Sequence, residues 1–252
     1  WYLYPEVMTG SLAINDSVFH LLLAGSAAEA LSNGKDITDP WQNTMSLGFP
    51  VFHYYQHLPH IIVAVIHVST FQLVQLIEVI RWTTYLLLSI FPLSIFWSLR
   101  QFGFKPLIAA MGGLLAAPIG TDFIGTNFDG FVAGVFRSWG GFGYSNYIFQ
   151  GWGLYSQLWA MVLLPPALAA SYRVLTDGRG YLLATSLLAM TLMSQIMYGY
   201  MAALTLGAFT LITVIGESNP RLLAGILLVQ WKRLATLLLL VLIVTSYFLI
   251  PS

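Results

Sequence analysis

Apolar residues fall into long runs separated by short polar segments, which is the pattern of helices that cross a membrane. A helix needs about 20 apolar residues to span a bilayer. The clearest run is the last, which is almost pure Leu, Val and Ile. The runs cover residues 58–77, 82–99, 106–119, 153–172, 181–216 and 234–250.

Several runs carry features that predict irregular helices. Pro92 predicts a kink within 82–99, and Pro165-Pro166 predict a break in 153–172. The 106–119 run would reach only about 21 Å, short of the ~30 Å apolar core, so it favours a half-helix. The 181–216 run is long enough for two short spans, which we expect to meet near Tyr198-Gly199-Tyr200.

The segment before these runs contains a helix pattern of a different kind. Residues 16–35 read DSVFHLLLAGSAAEALSNGK, with apolar residues recurring at helical spacing. Asn15 or Asp16 can cap its start, and Asn33-Gly34 can end it. We expect an amphipathic helix along the membrane surface. The predicted apolar face consists of Val18, Leu21, Leu22, Ala28 and Leu31.

Composition supports an integral membrane protein. The chain is 58% hydrophobic and 8% charged, against about 25% charged residues in soluble domains. We therefore predict an all-α, polytopic transmembrane bundle forming one domain over residues 1–252, in the cell membrane. The net charge of zero excludes a basic nucleic-acid interface, and the absence of cysteine excludes disulfides and thiolate metal sites. Because the sequence begins at Trp1, we expect it to be a fragment that lacks a preceding span.

Charge distribution predicts an orientation. Residues 1–55 hold five acids and one base, a net charge of −4, whereas cytoplasmic loops collect Lys and Arg. Arg173 and Arg179, like the bases between 221 and 233, are expected in the cytoplasm. The Gly- and aromatic-rich residues 120–152 then form a second extracytoplasmic loop, on the same side as 1–55. We expect the two loops to meet over one cavity.

The bases of the segment RQFGFK, residues 100–105, leave one question open. They lie inside if residues 58–77 do not cross the membrane. They lie outside if 58–77 cross and 106–119 are re-entrant. His60, His67, Gln72 and Gln75 are compatible with either arrangement, since a spanning helix could turn its polar face inward.

Titratable residues suggest possible chemistry in the first segment. Asp16 could act as a general base or bind a divalent cation, or could simply cap the helix. The stretch 48–60, GFPVFHYYQHLPH, contains Tyr54 and three histidines, His53, His57 and His60. These rings could bind a metal, contact a lipid phosphate, or form an interfacial belt. Pro50 and Pro59 make a regular helix through all three histidines doubtful.

Two further groups are candidates. Asp122 and Asp129, with Arg137, could handle a cation and a phosphate in the second loop, or could serve solubility alone. Gln195 lies among apolar residues, where a polar group marks either a site or an interhelical hydrogen bond.

The order of these features resembles a known membrane family. Asp16 and His20 precede a turn at Gly34 and the sequence DPW at Asp39–Trp41. GFPVFHYYQHLPH follows, and GWGLYSQLWAMVLLPPALAASYRVL and SQIMYGYMAAL lie far downstream. The chain thus resembles the bacterial and archaeal family labelled pyruvoyl-tetrahydropterin-synthase-related, which is similar to the GT-C superfamily of integral-membrane glycosyltransferases.

This resemblance implies a GT-C-like fold with surface helices in a large first extracytoplasmic loop. It implies a transferase that uses a sugar on a polyprenyl phosphate, with Asp16 as the catalytic base. The substrate and its phosphate would contact His20, His53, Tyr54, His57, His60, Asp122, Asp129, Arg137 and Gln195. The pattern leads us to expect His where Gln195 stands, and no second acid neighbours Asp16. A divalent cation remains a possible cofactor, and no metal ligands are assigned.

The alternative is a non-catalytic structural or accessory subunit of a larger membrane complex. Its partners would be membrane lipids and other membrane subunits, whereas the transferase would also bind the polyprenyl-phosphate sugar donor. Neither reading involves nucleic acid.

Overall fold

The computed structural model describes residues 7–8, 16–43, 48–53, 55–116, 155–212 and 219–249. Helices account for most of them, as the apolar runs predict. In chain order the helices are α1 (Asp16–Ser32), α2 (Leu58–Ser69), α3 (Leu76–Gln101), α4 (Pro106–Ala116), α5 (Tyr155–Asp177), α6 (Tyr181–Ser194), α7 (Ile196–Ile212) and α8 (Pro220–Leu249). Two short antiparallel strands, β1 (Trp41–Gln42) and β2 (Phe49–Pro50), and a 3₁₀ turn (Val51–His53) separate α1 from α2.

Helices α3 and α5 run parallel to each other through the bundle. Thr83 contacts Tyr155 near their first residues, and Arg173 bonds to the side chain of Gln101 near their last. Between these points the Ser94 hydroxyl donates to the Val162 carbonyl at 2.9 Å. Of the described helices, α3, α5 and α8 are long and apolar enough to cross a membrane.

The expected break at Pro165-Pro166 is wrong, because α5 continues through both prolines. Pro166 has no N–H to donate to the carbonyl four residues earlier, which is that of Val162. Ser94 on α3 supplies the missing donor. The neighbouring helix thus satisfies the group that the proline leaves unpaired, as is usual for prolines in membrane helices.

Small residues allow α4 to fold back closely against α3. A Cβ added to Gly113 would lie 2.7 Å from the Pro92 carbonyl oxygen, and one added to Gly112 would collide with Leu99. Pro92 itself lies inside a continuous α3. The described part of the 106–119 segment forms 11 residues of helix.

Helices α6 and α7 form a tight hairpin that packs on α5 and α8. The reversal occurs at Gln195, three residues before the expected position, and Gln195 adopts an extended backbone with φ −157°. A Cβ on Gly199 would lie 3.1 Å from the Leu192 Cα, so only glycine allows this approach. The buried core between the four helices includes Leu175, Ala184, Leu188, Ala202, Leu206, Leu234 and Leu237.

Helices α1 and α2 pack on each other next to the first turns of α3 and α5. The face of α1 that packs inside the protein is His20, Leu23, Ala24, Ala27, Ala28 and Ala30, and it shares only Ala28 with the predicted membrane-facing set. Val18, for example, is 52% exposed. Small alanines face α2 because they allow close helix contact, whereas the larger residues cover the flanks. The predicted end is confirmed, since Gly34 adopts φ +64° just beyond α1.

The 58–77 run does not form one helix. Helix α2 has 12 residues and reaches about 18 Å, too short to span. Phe71 and Gln72 then take positive φ angles in a turn. Gln75 and Glu78 form a capping box that starts α3.

Candidate functional site

The centre of the candidate site is a pair of buried histidines. His20 lies in the second turn of α1, and His60 lies in the first turn of α2. Their Nδ1 and Nε2 atoms are 2.9 Å apart, and their rings stack with centroids separated by 5.2 Å. Their relative exposures are only 1% and 0%. The pair therefore joins α1 to α2 across 40 residues of sequence.

Hydrogen bonding determines which nitrogens of the pair carry protons. The His60 Nδ1 lies 3.0 Å from the Gln56 carbonyl oxygen, which can only accept, so Nδ1 donates. In a neutral ring Nε2 must then accept, and the His20 Nδ1 donates to it. Burial, together with the neighbouring His20, lowers the pKa of His60 well below its usual value. Both observations describe a neutral ring inside the protein.

Aromatic rings enclose the histidine pair. Tyr55 lies 6.0 Å from His20 by ring centroids, and Phe52 stacks on His60 at 5.9 Å. Tyr155, the first residue of α5, lies 5.8 Å from His20 and pairs its hydroxyl with that of Thr83 at 2.7 Å. The enclosure thus connects three helices, α1, α3 and α5, and also the segment that precedes α2.

Asp16 lies at the edge of this enclosure. It is exposed and begins α1, four residues before His20, so both side chains lie on one face of the helix. The pKa of Tyr55 is raised mainly by burial, with a smaller contribution from the negative charge of Asp16. An exposed carboxylate therefore sits beside a rigid, buried group of rings.

His53 lies apart from the histidine pair. Its Nε2 is 3.1 Å from the Asp39 carboxylate, and both side chains are partly exposed. Among the described residues no three His, Asp or Glu side chains form a group that could hold a metal ion. The three histidines of residues 48–60 thus have three different environments.

His57 makes a separate contact with the last helix. Its Nε2 lies 2.7 Å from the Tyr247 hydroxyl, which donates to the Met193 sulfur at 3.2 Å. Nε2 must then carry the proton, which leaves the buried Nδ1 without a partner among the described residues. Burial lowers the pKa of His57 to about 4. His57 therefore joins the start of α2 to α6 and α8 as a neutral ring.

Gln195 lies near this contact, two residues after Met193. Its backbone N–H donates to the Thr191 carbonyl and ends α6. Its side-chain oxygen has no hydrogen-bond partner within the described part of the chain, and neither has the hydroxyl of Ser194. The helix reversal thus carries two unsatisfied polar groups towards the end of the bundle that holds the histidines.

Four of the predicted site residues cannot be located, since Tyr54, Asp122, Asp129 and Arg137 lie outside the described residues. Tyr155, the first described residue after the gap at 117–154, contacts the histidine pair. The sequence analysis does not predict Tyr55, Tyr155 or Tyr247 as site residues. Tyr247 could have been identified from the sequence, because its hydroxyl is a polar group at the end of an otherwise aliphatic run.

Comparison of the chain with known protein families, curated proteins and solved structures finds no match. Its function must therefore be inferred from the chemistry of these residues. That chemistry consists of an exposed acid, Asp16, a buried pair of histidines one turn further along α1, and a separate, partly exposed His53–Asp39 pair.

Proposed function

We propose that the chain is a multi-pass protein of the cell membrane, with the histidines at its extracytoplasmic end. Support comes from seven bases at the opposite end of the bundle, where short loops rich in Lys and Arg face the cytoplasm. The parallel packing of α3 and α5 brings the RQFGFK bases to the end that carries Arg173. This favours the arrangement in which 58–77 do not cross. The seven bases are Arg100, Lys105, Arg173, Arg179, Arg221, Lys232 and Arg233.

We infer that the activity is glycosyl transfer from a polyprenyl-phosphate-linked sugar, by a GT-C-like enzyme. The observation that carries this proposal is the position of Asp16. Its carboxylate is exposed at the start of α1, while His20, one turn later, is bonded into the buried pair. A general base must reach substrate and be carried by a rigid element, and Asp16 is exposed on a helix whose next turn is fixed by the buried histidine pair.

The proposed reaction forms one bond and breaks one. The acceptor hydroxyl attacks the anomeric carbon of the donor sugar, and its proton passes to Asp16. The bond from that carbon to the phosphate oxygen breaks, and polyprenyl phosphate leaves with the electron pair. The developing charge on the phosphate needs donors. His53 is the predicted phosphate ligand with the most accessible ring, whereas His20, His57 and His60 are buried.

The test compares Asp16→Asn with Glu29→Gln in the full-length protein reconstituted in liposomes. Glu29 is an exposed acid on the same helix, outside the enclosure. Transfer of radiolabelled sugar from polyprenyl-phosphate donors to lipid or glycan acceptors is measured. Asp16→Asn is expected to lower the rate by about 10²-fold or more, because general base catalysis contributes 10²–10⁴. Glu29→Gln is expected to retain the rate. Full activity of Asp16→Asn would remove Asp16 from the mechanism.

A non-catalytic role as an accessory subunit is the second candidate. The observation that favours it is that His20 and His60 are buried and bonded to each other rather than open to a substrate. This reading predicts no transfer by the wild-type chain with any donor. It also predicts that Asp16→Asn assembles normally with partner subunits on size-exclusion chromatography of the solubilised complex.

A further inference from the structure

A groove lies at the end of the bundle opposite the histidines, between the last turn of α5 and the first half of α8. It has a volume of about 540 Å³, within the 300–1,000 Å³ range of ligand sites. Arg221 and Arg233 line it, together with apolar residues of one α8 face. The apolar members include Leu222, Ile226 and Val229, which recur at helical spacing.

Charge in this region is strongly unbalanced. Seven bases lie at this end, and Asp177 is the single acid that the described residues place there. No ion pair links these bases to a carboxylate in the described part of the chain, where the one pair found is His53–Asp39. An anionic ligand would therefore meet a positive field that, among the described residues, Asp177 offsets only in part.

Arg233 is already oriented for such a ligand. Its Nη1 donates to the carbonyl oxygens of Leu175 and Thr176, each at 2.7 Å, at the end of α5. Gly178 lets the guanidinium lie close, since a Cβ there would be 2.9 Å from Nη2. The Nε and Nη2 atoms of Arg233 donate no hydrogen bond to any of the described residues. These nitrogens form the edge of the fork that binds phosphate in a bidentate manner.

We propose that this groove binds the headgroup of an anionic phospholipid. Arg233 contacts the phosphate, and Arg221 adds positive charge about 18 Å away along α8. The apolar part of the lipid packs on Leu222 and Val229, which are 52% and 47% exposed. The combination of charge and exposed apolar surface favours a lipid over a soluble anion. Basic pockets beside spanning helices on the cytoplasmic side hold such headgroups. The site is separate from Asp16, so it does not depend on the transferase.

Two variants test the site with matched controls. Arg221→Gln removes a lining charge, whereas Arg179→Gln removes an exposed charge from the nearby turn outside the groove. Gly225→Leu fills the groove without changing charge, because a Cβ there meets nothing within 4 Å. Gly207→Leu is its control in α7, where the space is equally open.

Binding is measured by native mass spectrometry of the detergent-solubilised full chain, titrated with phosphatidylglycerol or with phosphatidylcholine of the same acyl chains. We expect the wild-type chain to bind phosphatidylglycerol more tightly than phosphatidylcholine. Arg221→Gln should weaken phosphatidylglycerol binding about fivefold, because one base near an anionic surface contributes about 1 kcal/mol. Gly225→Leu is expected to abolish the preference, and both controls to keep it.

Four results would overturn the proposal. One is equal binding of the two lipids by the wild-type chain. Another is unchanged phosphatidylglycerol binding in Gly225→Leu, or the same loss in Arg179→Gln as in Arg221→Gln. The last is complete displacement of the lipid by excess inorganic phosphate, which would identify a site for free phosphate instead.

Discussion

The hydrogen bond between Ser94 and Val162 gives the sharpest test of how the bundle is stabilised. Pro166 deprives the Val162 carbonyl of its helical donor, and the Ser94 hydroxyl replaces that donor at 2.9 Å. Ser94 is only 8% exposed, so water cannot easily take its place. Ser94→Ala should therefore leave a buried carbonyl unpaired.

The expected loss can be estimated from two kinds of measurement. Leaving a buried acceptor unsatisfied costs about 1–3 kcal/mol in soluble proteins. Interhelical hydrogen bonds in membranes average about 0.6 kcal/mol. We therefore expect Ser94→Ala to lower the free energy of unfolding by about 1 kcal/mol.

A double-mutant cycle with Pro166→Ala separates this bond from general effects. Alanine at 166 restores an N–H that can bond to the Val162 carbonyl within α5. Ser94→Ala should then cost close to nothing, which gives a coupling of about 1 kcal/mol. Ser89→Ala is the control, because Ser89 is exposed on the same helix and bonds only to the carbonyl of Tyr85.

Unfolding is followed by circular dichroism during titration of sodium dodecyl sulfate into mixed micelles. Equal losses for Ser94→Ala with and without Pro166 would refute the explanation, since the serine would then act independently of the proline. An effect of Ser89→Ala as large as that of Ser94→Ala would also refute it.

Two more predictions concern the histidine end and the hairpin. Lowering the pH from 7 to 5 should reduce the free energy of unfolding by about 2 kcal/mol because of His57. Its pKa is 6.5 in the unfolded chain and about 4 in the folded one, so protonation at pH 5 favours the unfolded state. The dodecyl sulfate titration at both pH values measures this, and an identical loss in His57→Gln would contradict it. Gly199→Ala should lower stability by about 1–3 kcal/mol, because its Cβ would press on Leu192. Gly207→Ala should be neutral or stabilising in the same dodecyl sulfate titration, and equal free energies of unfolding for the two variants would contradict the clash.

Hydrophobic runs predicted the long helices but not all of their boundaries. The apolar run predicts a span over 234–250, and the helix that contains it begins earlier, at Pro220. Lys232 and Arg233, predicted to lie in the cytoplasm, are good helix formers and do not end the helix. Arg233 instead donates to the Leu175 carbonyl at the end of α5, and the residues next to Arg233 in sequence do not predict this contact.

The prolines show a similar limit. A proline removes one hydrogen bond from its own helix, and whether the helix breaks depends on what replaces that bond. The replacement for Pro166 comes from Ser94, which lies 72 residues earlier. No pattern within residues 153–172 could reveal it.

The sequence indicates which residues belong to the candidate site but not which of its histidines contact each other. Sequence reasoning identified Asp16, His20 and the histidines of residues 48–60 as a group. It considered His53, His57 and His60 together because they are close in sequence. The structure pairs His60 with His20 instead, because parallel packing of α1 and α2 brings their first two turns together.

This pairing changes how the transferase proposal should be tested. The hydrogen bonds join two buried rings, of which His60 must be neutral to accept from His20, so these residues fix the position of α1. Replacing either histidine would loosen the helix that carries Asp16, and activity would fall whether or not the ring contacts substrate. Asp16 is exposed, so its side chain can change with little effect on the packing beneath it. The carboxylate, rather than the histidines, therefore distinguishes catalysis from structure at this end of the bundle.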